Sequence, residues 1–343
     1  MHNFTESLPL LGDATNNQAL LFSPPLFPAS PSDPPQYPNY TLPIANLSLP
    51  STDALPKANV SLFLAPTSDL TAVSMPRTGC AFRETRVSNS MYINNTGELW
   101  LKDDEGWRWQ WPVTGLSPLT NYTAYAIVNG TQVSGPIYFV TKPAGFQCPI
   151  VHSLPYCPSV SYAVPIAPPQ GGASLHTSRT LPDEVVAPLL ETLTNFTVSL
   201  TSFPCGRDAY SLLVSCADCQ AAYRKWLCTI WFPRCFESSA QSTSDAQVPL
   251  PALQAQPASS APRSPGLPPF PFQHNEVMPC LETCTAVDRA CPVSLGFKCP
   301  VPRFNANSSY AVGYVDSGQE GEQGGGLTGA SQDRYGNVWC NAG

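Results

Sequence analysis

The chain has 343 residues, with 17 Lys+Arg against 24 Asp+Glu, a net charge of −7 and only 12% charged residues, against roughly 25% in ordinary soluble domains. An acidic chain repels a phosphate backbone, which excludes nucleic acid as a partner. The 39 Pro and 13 Cys point to loops and cross-links, and the length leaves room for two compact domains plus linkers.

Residues 1–56, with "SPPLFPASPSDPPQYPNYTLP" at their centre, are rich in Pro, Ser and Asn. They carry too little apolar surface to offset the entropy of ordering, so they predict a disordered lead-in or the remnant of a domain truncated upstream. The opening "MHNFTESLPLLGDATNNQALLF" has neither a basic n-region nor a continuous apolar h-region. No signal peptide is read there, and the expected true N-terminus lies upstream. No apolar run reaches the roughly 18 residues that a membrane-spanning helix needs.

Residues 57–143 predict a β-sandwich. "NVSLFLAPT" reads as a strand, and "ELWLKDDEGWRWQWPV" as a hairpin with Trp107, Trp109 and Trp111 on one face. That tryptophan face is expected to be the inner one, with a sugar-stacking platform as the alternative. A second hairpin turns at Asn129-Gly130. The stretch Leu116 to Tyr122 followed by "VSGPIYFVT" resembles the last two strands of a fibronectin type III-like domain. The resemblance implies a tyrosine that ties a corner through its hydroxyl.

Residues 144–343 hold twelve of the thirteen cysteines. "LPDEVVAPLLETL" predicts a helix, with Pro182 in its first turn, Asp183 and Glu184 at its positive end, and Val185, Val186, Leu189, Leu190 and Leu193 on one stripe. A second helix is expected over 209–227, with Leu212, Cys216, Cys219, Tyr223 and Trp226 aligned, and a third from Pro279 with Cys280, Cys284, Val287 and Cys291 inward. The Pro/Ser-rich and Gly-rich stretches 236–278 and 316–332 predict disordered insertions.

The densest motif is "CADCQAAYRKWLCTIWFPRC", Cys216 to Cys235. Zinc ribbons want two tight cysteine pairs, and the second spacing here is too long. A thioredoxin-like site wants its CxxC at a helix start after a strand, whereas this one lies mid-helix. Disulfides remain, in keeping with nine Asn-X-Ser/Thr sequons at Asn3, Asn39, Asn46, Asn59, Asn94, Asn121, Asn129, Asn195 and Asn307. Sequons and cysteines together mark the secretory pathway.

The spacing Cys148-x8-Cys157, Cys219-x8-Cys228-x6-Cys235 and Cys280-x3-Cys284-x6-Cys291, closed by Cys299 and Cys340, resembles the ten-cysteine Frizzled-type domain. That resemblance implies the pairs Cys148–Cys235, Cys157–Cys228, Cys219–Cys291, Cys280–Cys340 and Cys284–Cys299. Cys205 and Cys216 are extra to the pattern and are expected to pair with each other; Cys80 is left over. The fold class expected is therefore α+β and multidomain: a fibronectin III-like sandwich followed by a mainly helical, disulfide-rich Frizzled-like domain.

The Cys216–Cys235 block together with "MPCLETCTAVDRACPVSLGFKCP" is similar to the fungal stretch-activated calcium channel component, the calcium influx-promoting family. The resemblance implies an extracellular regulatory subunit that binds a pore-forming four-repeat calcium channel subunit at the plasma membrane. Membrane association would run through that partner or through a missing N-terminus. The alternative is a Frizzled-like module that binds a lipid or lipidated peptide. No HExxH, GxSxG or phosphate loop occurs, and the four histidines have no patterned partners, so no enzyme, cofactor or metal is expected. Tyr223, Arg224, Lys225, Trp226, Trp231 and Arg234, cations interleaved with aromatics, are the candidate partner-binding residues.

Overall fold

The computed structural model describes residues 9–29, 40–46, 55, 59–71, 78–84, 87–94, 97–103, 105–170, 175–208, 210–237, 253–301, 303–316, 327–331 and 338–343. Its first half is two four-stranded antiparallel sheets packed face to face. The strands are β1 (Leu10–Ala14), β2 (Gln18–Phe22), β3 (Val60–Pro66), β4 (Met91–Asn94), β5 (Glu98–Asp103), β6 (Gly106–Thr114), β7 (Asn121–Val128) and β8 (Gln132–Val140). One sheet runs β1-β2-β6-β5 and the other β4-β3-β7-β8. Two short helices, α1 (Thr67–Thr71) and α2 (Gly79–Glu84), belong to the same half.

Alternation along the strands decides what fills the space between the sheets. Ala19, Leu21, Trp111 and Val113 meet Leu62, Leu64, Tyr122, Ala124, Ala126 and Phe139 across it. Trp111 is fully buried there and Trp109 packs at its edge, so the tryptophan stripe faces inward. Asn129 and Gly130 both adopt positive φ in the β7–β8 turn, a conformation that Asn and Gly tolerate best. The Tyr122 hydroxyl accepts a hydrogen bond from the Ser117 amide at 2.9 Å, tying the entry to β7.

Residues 9–29 correct the expected lead-in. Leu10–Ala14 and Gln18–Phe22 are paired strands, and β2 sits centrally against β6 from Gln18 opposite Thr114 to Phe22 opposite Gln110. Their apolar runs are short, but the sandwich supplies both a ladder partner and a core. Residues 1–8, 30–39, 47–54 and 56 of that lead-in lie outside the described residues.

The second half holds β9 (Ile150–Val151), β10 (Tyr162–Ala163), α3 (Asp183–Thr201), α4 (Cys216–Trp231), β11 (Arg234–Phe236), β12 (Leu253–Gln256), β13 (His274–Val277), α5 (Leu281–Ala290), β14 (Tyr314–Asp316) and β15 (Leu327–Ala330). Val185, Leu189 and Leu193 of α3 pack against Leu227, Cys228 and Trp231 of α4. Six disulfides close this half: Cys148–Cys235, Cys157–Cys228, Cys205–Cys216, Cys219–Cys291, Cys280–Cys340 and Cys284–Cys299. Five of them are the pairs that the Frizzled-type resemblance implies, and Cys205–Cys216 joins the two cysteines extra to that pattern.

Two expectations change here. Helix α4 begins at Cys216, because Ser215 caps it: its Oγ accepts from the Asp218 amide while Asp218 accepts from the Ser215 amide. A Ser-x-x-Asp box is a start signal, so residues 210–215 of the expected helix stay outside it and Leu212, expected on the buried stripe, is fully exposed; residue 209 lies outside the described residues. The predicted insertion 236–278 is partly ordered: β11, β13 and β12 form a sheet, and Gln254 and Glu276 face each other in it. Its stretch 238–252 lies outside the described residues, as do 317–326 of the second insertion, where β14 and β15 nevertheless pair.

Candidate functional site

The two halves are joined by a polar seam beneath an apolar contact. The face of the first sheet that points away from the sandwich core carries Leu20, Phe22 and Trp100. These pack on Phe146, Cys148, Ile150, Ala163, Cys235 and Phe270 of the disulfide-rich half. At its centre Arg234, on β11, donates through Nε to Asp13 Oδ2 at 3.0 Å and through Nη2 to the Gly12 carbonyl at 3.1 Å. The same Asp13 oxygen accepts the Ala163 amide at 3.2 Å. Both side chains are at most 10% exposed, so each charge depends on the other for compensation. Gly12 permits this approach, since a Cβ there would stand 2.6 Å from the Ser161 carbonyl oxygen.

Further bonds flank the pair. Trp100 Nε1 donates to Pro158 O at 2.9 Å, and Lys102 Nζ donates to Ser159 O at 3.1 Å. Burial, then the charge of Lys225, draws the Lys102 ammonium down to about 7. On the other flank Lys142 Nζ donates to Glu237 O and lies 4.5 Å from the Phe236 ring centroid, its ammonium also weakened by burial. A cavity of about 380 Å³ opens at this flank, lined by Asp13, Arg234, Lys142 and Glu237 on one side and by Leu119, Tyr122, Tyr138 and Phe139 on the other.

A third cluster brings together a serine, a histidine and a carboxylate. His152 Nδ1 and Ser153 Oγ are 2.8 Å apart, and Ser153 Oγ donates to Glu98 Oε1, which also takes Gln110 Nε2 at 2.7 Å. A nucleophilic triad needs the histidine between hydroxyl and acid. Here the hydroxyl lies between the other two and its proton is directed at the carboxylate, so the cluster bridges the halves rather than priming a nucleophile. Burial holds the His152 imidazole below its usual range, against the raising effect of Glu98.

The sequence-predicted partner residues divide sharply. Arg224 is buried; its Nη1 donates to Ala45 O and Tyr156 O and its Nη2 to Ile44 O, and burial pulls its guanidinium down to about 10. It fastens the segment 40–46 onto the helical half, where Gln220 also holds Pro43 O. Trp231 is buried, with Nε1 donating to Val185 O, and Arg234 is the seam cation. These three are therefore structural and cannot act as surface anchors. Tyr223 and Trp226 are half-buried: the Tyr223 ring stacks on Phe196 at 3.6 Å, and Trp226 packs edge-on to Phe297 and donates to Tyr310 Oη. Only Lys225, of the six, is exposed.

Sequence reasoning missed the surface that the helices do present. Leu212 and Leu213 are 100% and 92% exposed on the loop closed by Cys205–Cys216, at the end of the bundle where Tyr210 Oη reaches Ala290 O of α5. Asn3 and Asn39 lie outside the described residues; the other seven sequon asparagines are all exposed. The ligand atoms of Cys280, Glu282 and Cys340 cluster together, but the two cysteines are bonded to each other and offer no thiolate to a metal. Among the described residues no helix is long and apolar enough to cross a membrane.

A sandwich packed on a helical half closed by six disulfides, with Arg224 and Arg234 buried and the described sequon asparagines exposed, defines a cross-linked α+β fold. The family model of the "Stretch-activated Ca2+-permeable channel component" matches residues 1–326, and the chain belongs to that family. It is 37% identical to the "Stretch-activated cation channel MID1" of Cryptococcus neoformans over 99% of this chain and 60% of that protein. It is 32% identical to "Stretch-activated cation channel yam8" of Schizosaccharomyces pombe over 59% of this chain and 40% of that one. The corresponding Saccharomyces cerevisiae protein is 30% identical, over 55% and 34%. The chain thus spans about a third to three fifths of the length of these relatives.

Proposed function

We propose that the chain is a non-catalytic regulatory subunit on the extracellular face of the plasma membrane, binding a pore-forming four-repeat calcium channel subunit and promoting calcium influx. The observation that carries this reading is the family match over residues 1–326, with relatives named as stretch-activated cation channels. The structure is compatible in three respects. Six disulfides suit an oxidising compartment. A rigid body loses little entropy on docking. The serine–histidine–glutamate cluster has its hydroxyl in the wrong place for acyl transfer.

We read the sheets as fibronectin type III-like, supported by the Tyr122 corner, and the cross-linked half as Frizzled-like, supported by its five pattern disulfides and one extra. The test is co-purification with the four-repeat pore subunit of the same organism, after secretion of the glycosylated chain and solubilisation in mild detergent. Co-elution that Cys228→Ala abolishes is the expected result. Well-folded chain that never co-elutes overturns the proposal.

A further inference from the structure

We propose that Asn121 carries an N-linked glycan whose innermost N-acetylglucosamine packs on Tyr138 and Leu119, so that the sugar becomes part of the sandwich surface. The inference rests on the secretory placement proposed above and goes beyond it, because it assigns one sequon a structural role. Along the β7–β8 ladder Asn121 stands opposite Val140 and Thr123 opposite Tyr138. Asn121 and Tyr138 are therefore diagonal neighbours on one face, a separation of about 7–8 Å that a large group readily spans.

The platform is otherwise unexplained. Tyr138 is 54% exposed on β8, an edge strand of its sheet. Leu119 is 62% exposed and has φ +49°, a left-handed backbone that leucine rarely adopts. A bare apolar edge of this kind invites association with other chains. Asn121, Leu119 and Tyr138 all line the seam cavity, so a sugar attached at Asn121 has a concave wall to lie against.

The chemistry suits the first sugar. A pyranose ring presents an apolar face of C–H groups that can lie on an aromatic ring while its hydroxyls stay in water. Tethering removes most of the entropic cost of that contact. The sequon threonine, Thr123, is hydrogen-bonded to Thr67 at 2.8 Å and buried. That bond fixes the strand beneath the glycan, and because attachment precedes folding it does not block it. Other sequons have lesser neighbours: Asn195 has Val198 one turn on and Asn307 has Phe304 three residues before. Asn121 combines an aromatic ring, an aliphatic chain and a cavity wall.

The test uses the full chain secreted from a glycosylating host, with glycopeptide mass spectrometry and thermal melts. Asn121 is expected to be occupied, and Tyr138→Ala should lower Tm by about 2–4 °C in the glycosylated protein. The same substitution should cost nothing in an Asn121→Gln background. Trimming the folded protein to single N-acetylglucosamine residues should preserve the Tyr138 effect, and complete deglycosylation should remove it. Asn195→Gln, the control, should leave the effect intact. Occupancy elsewhere with Asn121 bare overturns this inference alone, as does an equal Tyr138→Ala shift with and without the glycan. No occupancy at any sequon overturns both it and the secretory placement.

Discussion

The two halves of the molecule are held together by different physics. Among the described residues the sandwich has eight strands, two sheets and no disulfide; its one cysteine, Cys80, is free and exposed. The described residues of the other half form three longer helices, small sheets of two or three strands, and six disulfides. Ladders and a shared apolar layer suffice for the first. In the second, an apolar core running from Val151 and Tyr162 through Leu189 and Leu193 to Leu227 and Phe232 is supplemented by cross-links that restrict the unfolded chain. The seam makes the two depend on each other at Asp13–Arg234.

The largest break in this comparison should come from reduction. Each native disulfide in such a domain is typically worth about 2–5 kcal/mol, so reductant under native conditions should melt α3, α4 and α5. Amide hydrogen exchange should then show protection lost in the helices and kept in β3 and β7. Simultaneous loss in both halves would mean that the sandwich has no stability of its own.

Asp13→Ala should be next, and unlike reduction it should weaken both halves. It leaves Arg234 buried without its counter-charge, a defect worth about 3–5 kcal/mol, readable as a lowered midpoint in urea. Adding Arg234→Met should recover much of the loss, because the buried charge then goes too. A single variant within about 0.5 kcal/mol of wild type would place the seam's strength in its apolar contact instead.

Acidity sharpens the comparison in a smaller way. Burial lowers the folded-state affinity of His152 and of His176 for protons, whereas the unfolded imidazoles titrate near about 6.5. Below that pH the unfolded chain binds more protons, so stability is whole above about 6.5 and falls as the pH drops towards the lowered folded values. His152→Gln should flatten part of that slope in melts between about pH 5 and 7. An unchanged slope would remove His152 from the account. The smallest effect should be Ser215→Ala, about 1 kcal/mol through loss of the α4 cap, seen as a slightly lower helix melting temperature and no change in the sandwich.

Much of this was legible in the sequence where local chemistry and spacing decide the outcome. The Asn129-Gly130 turn, the Trp111 face and the stripe on α3 follow from period and turn residues. Five of the cysteine pairs are those that the resemblance to the Frizzled-type domain implies. What stayed hidden depends on distant partners. Leu10–Ala14 and Gln18–Phe22 look too short to matter until β6 gives them a ladder. Arg224 and Arg234 look like surface cations because their acceptors, the carbonyls of residues 44 and 45 and the carboxylate of Asp13, lie some two hundred residues earlier. The Ser215-x-x-Asp218 box was the one missed local signal, and reading it would have placed Leu212 outside the helix.

The most direct test of the central claim is calcium uptake by cells of the same organism that lack this protein, measured at low external calcium. The account predicts reduced influx, restored by the wild-type protein and not by a Cys228→Ala variant. Normal influx in the deficient cells would contradict it.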